Sequence, residues 1–242
     1  MQGNNYTYLK LKGFKKLLFK IFWIKIPILK SKKIHFISSK IKNETENIIK
    51  HKIIDSAIIP CCVPNDLKKR EKKKFEKKIL FIGSTENKNL ICLLKAIKDL
   101  NVKLTIVGSI DLYHKNFLLK NNIMFENHVG ISDEDINKIY SRNDILVFPS
   151  LYEGFGMPII EANYVGIPVI TSNLSPMKEI ARNSSLLFDP YKPYDLKNKL
   201  ILLIKNSELR KKLIINGFIN ANKYQSYNIA KHFMKLYKQL IK

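Results

Sequence analysis

The regular alternation of short apolar runs with helix-like segments, which begins at residue 79, constrains the fold most strongly. In the segment after the first run, Leu90, Leu94 and Ile97 recur at the spacing of one helix face. Continuously apolar strands that alternate with helices are typical of a parallel sheet covered on both faces. We therefore expect an α/β fold, a Rossmann-like parallel sheet with C-terminal helices over 194–241. The predicted strands cover residues 79–83, 103–108, 123–126, 144–149, 167–171 and 186–188.

Upstream of residue 79 the sequence changes character. Residues 33–59 hold an apolar run, a polar helix-like piece and a second apolar run, which predict a βαβ fragment too small to close its own core. Pro60 and Pro64, followed by a charge run that ends at Lys78, are typical of a linker. The expected domains are residues 1–63, a charged linker at 64–78, and residues 79–242.

The charge of the chain invites a polyanionic partner. Lysine and arginine total 43 against 20 acidic residues, a net charge of +23. However, 39 of the bases are lysine and four are arginine, and no strip of aromatic residues with arginine is present for stacking on bases. A nucleic-acid binder would lose affinity steeply with salt. We expect no nucleic-acid partner and interpret most of the charge as solvated background.

Residues 10–30 mix aromatic, aliphatic and lysine residues, and two interpretations stay open. The segment could be an interfacial helix that lays Phe22 and Trp23 into an anionic membrane surface, or an ordinary amphipathic helix with exposed lysines. Lys20 and Lys25 interrupt its apolar stretch, so we expect no spanning helix.

The chain has three cysteines, Cys61, Cys62 and Cys92, whose spacing suits neither a disulfide framework nor a metal site. This favours a reducing compartment. No stretch resembles a secretory signal. The expected location is the cytoplasm, with peripheral contact at the inner membrane face as an option.

The first candidate site is the loop that follows the predicted strand 79–83. Gly83 and Ser84 open a small polar loop, and Lys88 precedes a helix that begins near Asn89. Backbone N–H groups at a helix start, together with one lysine, can bind an anion. The alternative is that Asn89 is a helix cap and Lys88 a solvated surface residue.

The second candidate site is the loop over residues 150–161. Gly154 and Gly156 allow a ligand to approach the backbone closely, and Pro158 is tolerated in the first turn of the following helix. Glu153 and Glu161 could each accept hydrogen bonds from a diol while the helix start binds phosphate. The alternative, two acids on a solvated helix face, does not explain why glycines, proline and acids share one loop.

The segment Glu153–Glu161, with seven residues between the glutamates, resembles the signature of the retaining nucleotide-sugar glycosyltransferases of family 4. The resemblance extends over about residues 79–241 and takes in several motifs in order. They are the loop 83–89, SerAspGluAsp ending at 135, AsnAspIleLeuValPheProSer ending at 150, GlyIleProValIle ending at 170, the segment 172–179, LeuLeuPheAspPro ending at 190, and PheMetLysLeuTyr ending at 237.

The resemblance implies an enzyme with two Rossmann-like domains, of which the second, residues 79–242, binds the sugar donor. It implies that Lys88 binds the donor diphosphate, that Glu161 holds the ribose hydroxyls, and that Glu153 lies close to the transferred sugar. Lys88 and Glu153 are thus the implied catalytic residues. No metal or other cofactor is implied, and transfer retains the anomeric configuration. The implied donor-binding residues are Gly83, Ser84, Lys88, Gly154, Phe155, Gly156, Met157 and Glu161.

Two departures from the family pattern bear on function. Many members have arginine directly after the strand glycine, where this chain has Ser84. The acceptor domain of the family is much longer than residues 1–63, which resemble only its last segment. The expectation is a truncated acceptor domain or one half of a split enzyme, in which neither His35 nor His51 is catalytic.

The resulting functional prediction is a glycosyltransferase of polysaccharide biosynthesis that transfers a sugar from a nucleotide-diphosphate donor. Its acceptor would be a saccharide or a lipid-linked glycan. A separate polypeptide could supply the acceptor domain. The alternative function is a truncated or split nucleotide-sugar binding subunit without activity on its own.

Overall fold

The structure is a computed structural model that describes residues 8–71 and 74–241, so that residues 1–7, Lys72, Lys73 and Lys242 of the predicted domains lie outside the described residues. The chain forms two compact units. Unit 1 comprises the residues up to Cys62 together with those from Ser226 onward, and unit 2 comprises Val63–Gln225.

Unit 1 contains the predicted βαβ fragment. Strands β1 and β2 pair in parallel, with His35 opposite Ala57. Ser38 caps the helix between them, because its side chain accepts a hydrogen bond from the N–H of Ile41. The elements are α1 (Gly13–Phe19), a π-helical segment (Lys20–Lys25), α2 (Ile26–Lys30), β1 (Ile34–Phe36), α3 (Ser39–Ile49), β2 (Ser56–Ile58) and, at the other end of the chain, α11 (Ser226–Leu240).

Unit 2 contains a six-stranded parallel sheet, and each of the six strands predicted from the alternation is present. The strands are β3 (Lys78–Ile82), β4 (Lys103–Val107), β5 (Met124–His128), β6 (Ile145–Phe148), β7 (Val169–Ser172) and β8 (Ser185–Phe188). The helices are α4 (Leu90–Ile97), α5 (Leu112–Lys120), α6 (Asp133–Arg142), α7 (Met157–Val165), α8 (Met177–Ala181), α9 (Pro193–Lys205) and α10 (Ser207–Asn222).

The strand order in this sheet is β5-β4-β3-β6-β7-β8. The chain therefore starts in the middle, at β3, winds outward to β5, and returns to β6 on the other side of β3. This is the order of a doubly wound Rossmann-like sheet, and it places a topological switch point between β3 and β6. The α/β fold predicted from the sequence is confirmed. Apolar strand residues such as Ile79, Ile106 and Val147 pack with apolar faces of α4 and α9 to form the core.

The predicted linker differs from the structure. In its described part, the N–H of Arg70 donates to the carbonyl oxygen of Val165, and the Arg70 guanidinium donates to that of Asn143, both at 2.9 Å. The buried carboxylate of Asp144 accepts hydrogen bonds from the N–H groups of Glu76 and Lys78. These residues belong to unit 2 and do not form a solvated linker. The reason is that residues which bond to the rest of unit 2, such as Arg70, lie among the charged residues of this segment.

The end of the predicted domain 79–242 also differs. Helix α11 belongs to unit 1, where Ile229 and Leu236 pack with Ile59 and the ring of Phe233 contacts that of His35. The amphipathic face of α11 thus covers the βαβ fragment, which could not bury its apolar side chains alone. In the part of the chain that the structure describes, no helix combines the length and apolar character needed to cross a bilayer.

Candidate functional site

The two loops singled out from the sequence follow β3 and β6, the strands on either side of the switch point. In open parallel sheets, ligands bind outside the carboxyl ends of the strands at this point. We call residues 83–89 the first junction and residues 149–157 the second junction. Both belong to unit 2, and both lie at the edge of the sheet where this fold binds ligands.

The first junction depends on a glycine. Gly83 has φ +148°, and a Cβ atom there would lie 2.3 Å from Cγ of Lys88. The aliphatic part of Lys88 therefore runs directly over the glycine, where no larger residue fits. The following turn, Glu86–Lys88, is a short 3-10 helix. Ser84 is exposed at the start of the loop. Gly83 thus determines where the lysine side chain runs.

Hydrogen bonds join the two junctions. The Asn87 carbonyl accepts from the N–H of Leu151 at 2.7 Å, and its side-chain amide donates to the carbonyl of Tyr152 at 2.9 Å. The amide of Asn89 donates to the carbonyls of Pro149 at 3.2 Å and Pro190 at 2.9 Å. Asn89 makes no side-chain cap to α4, so the alternative of a simple helix cap is wrong.

Lys88 and Glu153 contact each other across the junctions. The Lys88 Nζ donates a hydrogen bond of 2.7 Å to Glu153 Oε1, and it lies 4.9 Å from the ring centre of Phe148. The side chains are only 21% and 14% exposed, so the alternative of a solvated surface lysine is wrong. Solvent screens a partly buried ion pair of this kind less than an exposed one.

The second junction ends in a helix start without a side-chain cap. Gly156, at φ +121°, precedes α7 and has no side chain that could cap it, while Pro158 occupies the first turn. Pro158 has no N–H and the N–H of Ile159 donates to the carbonyl of Gly156 at 3.0 Å, so it is mainly the positive end of the helix dipole that favours negative charge here. Phe155 is buried and its ring contacts that of Tyr224 at 5.7 Å. Of the predicted donor-binding residues, Phe155 can therefore offer a ligand only its backbone.

Glu161 lies one turn inside α7 in a different environment from Glu153. Its Oε2 accepts a hydrogen bond of 2.6 Å from the hydroxyl of Tyr140 on α6. Burial raises the pKa of Glu161 above its usual value, although the Tyr140 hydrogen bond and the charge of Lys88 act in the opposite direction. The pKa of Tyr140 is also raised, by burial first and then by the adjacent carboxylate. The alternative of two acids on a solvated helix face is wrong, since both glutamates are partly buried.

The groups at the two junctions suit a ligand that carries both phosphate and hydroxyl groups. The site offers one ammonium group, an uncapped helix start, and two carboxylates that differ in environment. The cationic groups suit a phosphate, and the carboxylates suit hydroxyl groups. Within residues 8–71 and 74–241, no group of three or more His, Cys, Asp or Glu side chains has the arrangement of a metal site.

Sequence reasoning missed three residues of this site, namely Asn87, Phe148 and Tyr140. Asn87 and Phe148 carry no chemical signal in the sequence, because their roles depend on the neighbouring junction. Tyr140 does carry one: it lies on the apolar face of a helix with Ile136, and a buried tyrosine hydroxyl needs a hydrogen-bond partner.

Comparisons with known proteins identify the family of the chain. Residues 63–219 match the family model described as Glycosyl transferases group 1. The uncharacterized glycosyltransferase MJ1178 of Methanocaldococcus jannaschii is 34% identical over 167 residues, which cover 66% of this chain and 48% of that protein. The N,N'-diacetylbacillosaminyl-diphospho-undecaprenol alpha-1,3-N-acetylgalactosaminyltransferase of Campylobacter jejuni is 32% identical over 110 residues, 45% of this chain and 29% of that protein.

A solved structure supports the fold over most of the chain. HepE of Anabaena, in complex with UDP and glucose, matches with a TM-score of 0.77 at 14% identity, covering 91% of this chain and 67% of that chain. The chain spans less than half the length of the two curated relatives above. Because the family model covers more than half of the sequence, this chain belongs to the family of glycosyl transferases group 1.

Proposed function

We propose that the chain binds a nucleotide-diphosphate sugar in unit 2 and that the enzyme it forms transfers the sugar to an acceptor with retention of configuration, as in family 4. The observation that carries this proposal is the Lys88–Glu153 contact beside the uncapped start of α7. This geometry combines a cation and a carboxylate in contact with each other and the positive end of a helix that begins in the same loop as the carboxylate. A sugar diphosphate needs all three: partners for its phosphates and an acceptor for its hydroxyls.

In this reaction the bond between the anomeric carbon and the diphosphate oxygen breaks, and a bond from that carbon to the acceptor oxygen forms. The acceptor attacks from the face that the diphosphate leaves, and its proton passes to the departing phosphate oxygen. Lys88 and the start of α7 stabilise the negative charge that develops on this oxygen. We propose that these groups suffice without a metal, and that Gly83 and Ser84 line the phosphate side.

The two glutamates would divide the remaining contacts. Glu161 accepts hydrogen bonds from the ribose hydroxyls, and Glu153 lies next to the transferred sugar. The backbone of residues 154–157 contacts the sugar or the phosphate. Since Lys88 pairs with Glu153 in this structure, donor binding requires the lysine to share or exchange that partner.

The direct test is turnover of a panel of nucleotide-diphosphate sugars to free nucleotide, measured with and without a chelator. Lys88→Ala should lower turnover by about 10- to 100-fold, the loss of one charge-assisted contact. Lys197→Ala is the matched control, because that lysine pairs with Asp99 on the surface of unit 2. Equal turnover for Lys88→Ala and wild type would overturn the assignment of Lys88, and loss of turnover with the chelator would overturn metal independence.

The same turnover measurement distinguishes this proposal from the alternative, a binding subunit without activity of its own. Binding of a donor by calorimetry without any turnover would favour it, and adding a polypeptide that carries an acceptor domain should then restore turnover. We propose a saccharide or a lipid-linked glycan as acceptor and polysaccharide biosynthesis as the process. The Campylobacter relative, whose name includes a diphospho-undecaprenol acceptor, supports the lipid-linked option.

We further propose a cytoplasmic enzyme with peripheral contact at the inner membrane face through unit 1. Residues 8–43 hold eleven lysines and no acidic residue. Ile24 is buried, whereas Phe14, Phe22 and Trp23 are exposed along the same helical stretch. Exposed aromatic residues among lysines suit an anionic lipid surface.

Trp23 is the only tryptophan of the chain and serves as the probe. Its emission should shift to shorter wavelength with vesicles that contain phosphatidylglycerol but not with phosphatidylcholine alone. An unchanged spectrum with both would overturn the membrane contact. A shift that depends on protein concentration without vesicles would show instead that a second copy covers this face.

A further inference from the structure

The hydroxyl of Tyr140 forms a buried hydrogen bond with Glu161. The tyrosine is fully buried at the C-terminal half of α6, and its hydroxyl donates to Glu161 Oε2 at 2.6 Å. A buried hydroxyl without a partner is costly, so the contact is retained as long as the ring stays in the core. Within the described part of the chain, Glu161 Oε1 accepts no hydrogen bond and is left for another donor.

We propose that Tyr140 is a positioning residue that holds the Glu161 carboxylate with Oε2 fixed and Oε1 directed at the ribose diol of the donor. The inference rests on the function proposed above and adds a residue to its nucleotide site. A glutamate side chain loses about 1.5–2 kcal/mol of rotamer freedom when it is ordered. The tyrosine hydrogen bond orders it before the ligand arrives, which improves affinity for the ligand.

The same contact favours the ionised form of Glu161, against the burial that raises its pKa. Burial and the charge of Asp66 favour the neutral acid, whereas Tyr140 and Lys88 favour the carboxylate. Removal of the hydroxyl should therefore raise the pKa of Glu161 further. A carboxylate accepts hydrogen bonds from both hydroxyls of a diol, and a protonated acid does so less well. Nucleotide affinity should fall as the pH drops through this pKa.

A site built to accept hydrogen bonds from hydroxyl groups discriminates against ligands that lack them. The proposal therefore predicts that Tyr140 matters for ribonucleotides and not for 2′,3′-dideoxyribonucleotides, which offer Glu161 no hydroxyl. A residue that only fills the core would affect both sugars equally, because it would alter the whole loop. This difference distinguishes positioning from packing.

The experiment measures binding of uridine, guanosine and adenosine diphosphates by calorimetry between pH 5 and 9, each with ribose or with 2′,3′-dideoxyribose (the deoxyribose or deoxy form). Tyr140→Phe keeps the ring in the core and removes the hydroxyl. We expect about a 3- to 10-fold loss of affinity for the ribose form, corresponding to one hydrogen bond, and no change for the deoxy forms. The acid limb of the ribose profile should move to higher pH.

Two further variants complete the test. Glu161→Gln should abolish the part of the acid limb that the deoxyribose forms do not share, and in that background Tyr140→Phe should have no additional effect on affinity. Lys88→Ala should weaken ribose and deoxyribose forms equally, since it acts on the phosphates. Thermal unfolding of each variant reports whether the fold is retained.

Equal losses for ribose and deoxyribose forms in Tyr140→Phe, or an unmoved acid limb, would overturn the positioning role while the proposed function stands. A wild-type chain that binds none of the three diphosphates would overturn the proposed function and this inference together.

Discussion

The two junctions at the switch point differ in the groups that they contribute to the candidate site. The first junction, after β3, fixes one cationic side chain by passing it over Gly83 and by tying its neighbours Asn87 and Asn89 to the opposite loop. The second junction, after β6, presents Glu153 and an uncapped helix start, and Glu161 follows in α7. One junction supplies a positioned charge, and the other supplies the surface on which a ligand would rest.

The difference shows where sequence change should be tolerated. The first junction acts through side-chain and backbone contacts that are already made without a ligand, so its substitutions should affect stability as well as binding. Glu153 of the second junction contributes charge to the site, so its substitution should affect binding more than stability. The predictions below test this division, starting from the largest effect.

Gly83→Ala should have the largest effect. The added Cβ would lie 2.3 Å from Lys88 Cγ at a φ of +148°. Lys88 must move, and we expect a loss of about 2–4 kcal/mol in the free energy of unfolding from strain and overlap. Urea denaturation measures this loss, and calorimetry with a nucleoside diphosphate should show weaker binding.

Gly13→Ala is the control for Gly83→Ala. Gly13 also has a positive φ, +54°, but no atom lies within 4 Å of its added Cβ. Gly13→Ala should lower the free energy of unfolding by about 1 kcal/mol, which is the effect of the backbone conformation alone. Similar losses in both variants would contradict the idea that Lys88 is held against the glycine.

Asn89→Ala should come next, with a loss of about 2–3 kcal/mol in the free energy of unfolding. It removes hydrogen bonds to the Pro149 and Pro190 carbonyls and forces alanine into φ +59°. Asn89→Gly tolerates that φ and loses only the amide, so it should cost less. Asn122→Ala, at φ +51° on the surface, isolates the backbone cost. If Asn122→Ala and Asn89→Ala lose the same free energy of unfolding on denaturation, the amide contacts of Asn89 do not join the junctions.

Much of the fold could be predicted because unit 2 repeats one simple pattern. Buried parallel strands are continuously apolar, and the glycines and prolines that end them, such as Gly83 and Pro149, mark the loops. The strand order does not follow from this pattern. The contact of Lys88 with Glu153, 65 residues later, depends on β3 and β6 being neighbours, which no local signal determines.

The predicted linker and the last helix show a second limit of sequence reasoning. A charge run is usually solvated, yet Leu67 is buried and Arg70 is anchored to the backbone of unit 2. Likewise, the amphipathic pattern of α11 predicts a helix but not the surface that it covers. Both outcomes depend on contacts between distant segments, and the periodicity of one segment does not contain that information.

Glu153→Gln should have the smallest effect, and its direction is the informative part. The substitution removes the negative charge that pairs with Lys88 at 2.7 Å, and it also removes repulsion toward an incoming diphosphate. A nucleoside diphosphate should therefore bind about 3- to 10-fold more tightly, while the free energy of unfolding changes by about 1 kcal/mol or less. Glu134→Gln, which breaks the exposed pair with Lys138, is the matched control and should leave nucleotide affinity unchanged.

Because Glu153 is proposed to lie beside the transferred sugar, turnover of the sugar donor by Glu153→Gln should fall as diphosphate affinity rises. Unchanged or weaker diphosphate binding in Glu153→Gln would mean that the ion pair does not compete with the ligand, and that Lys88 is not the group that meets its phosphates.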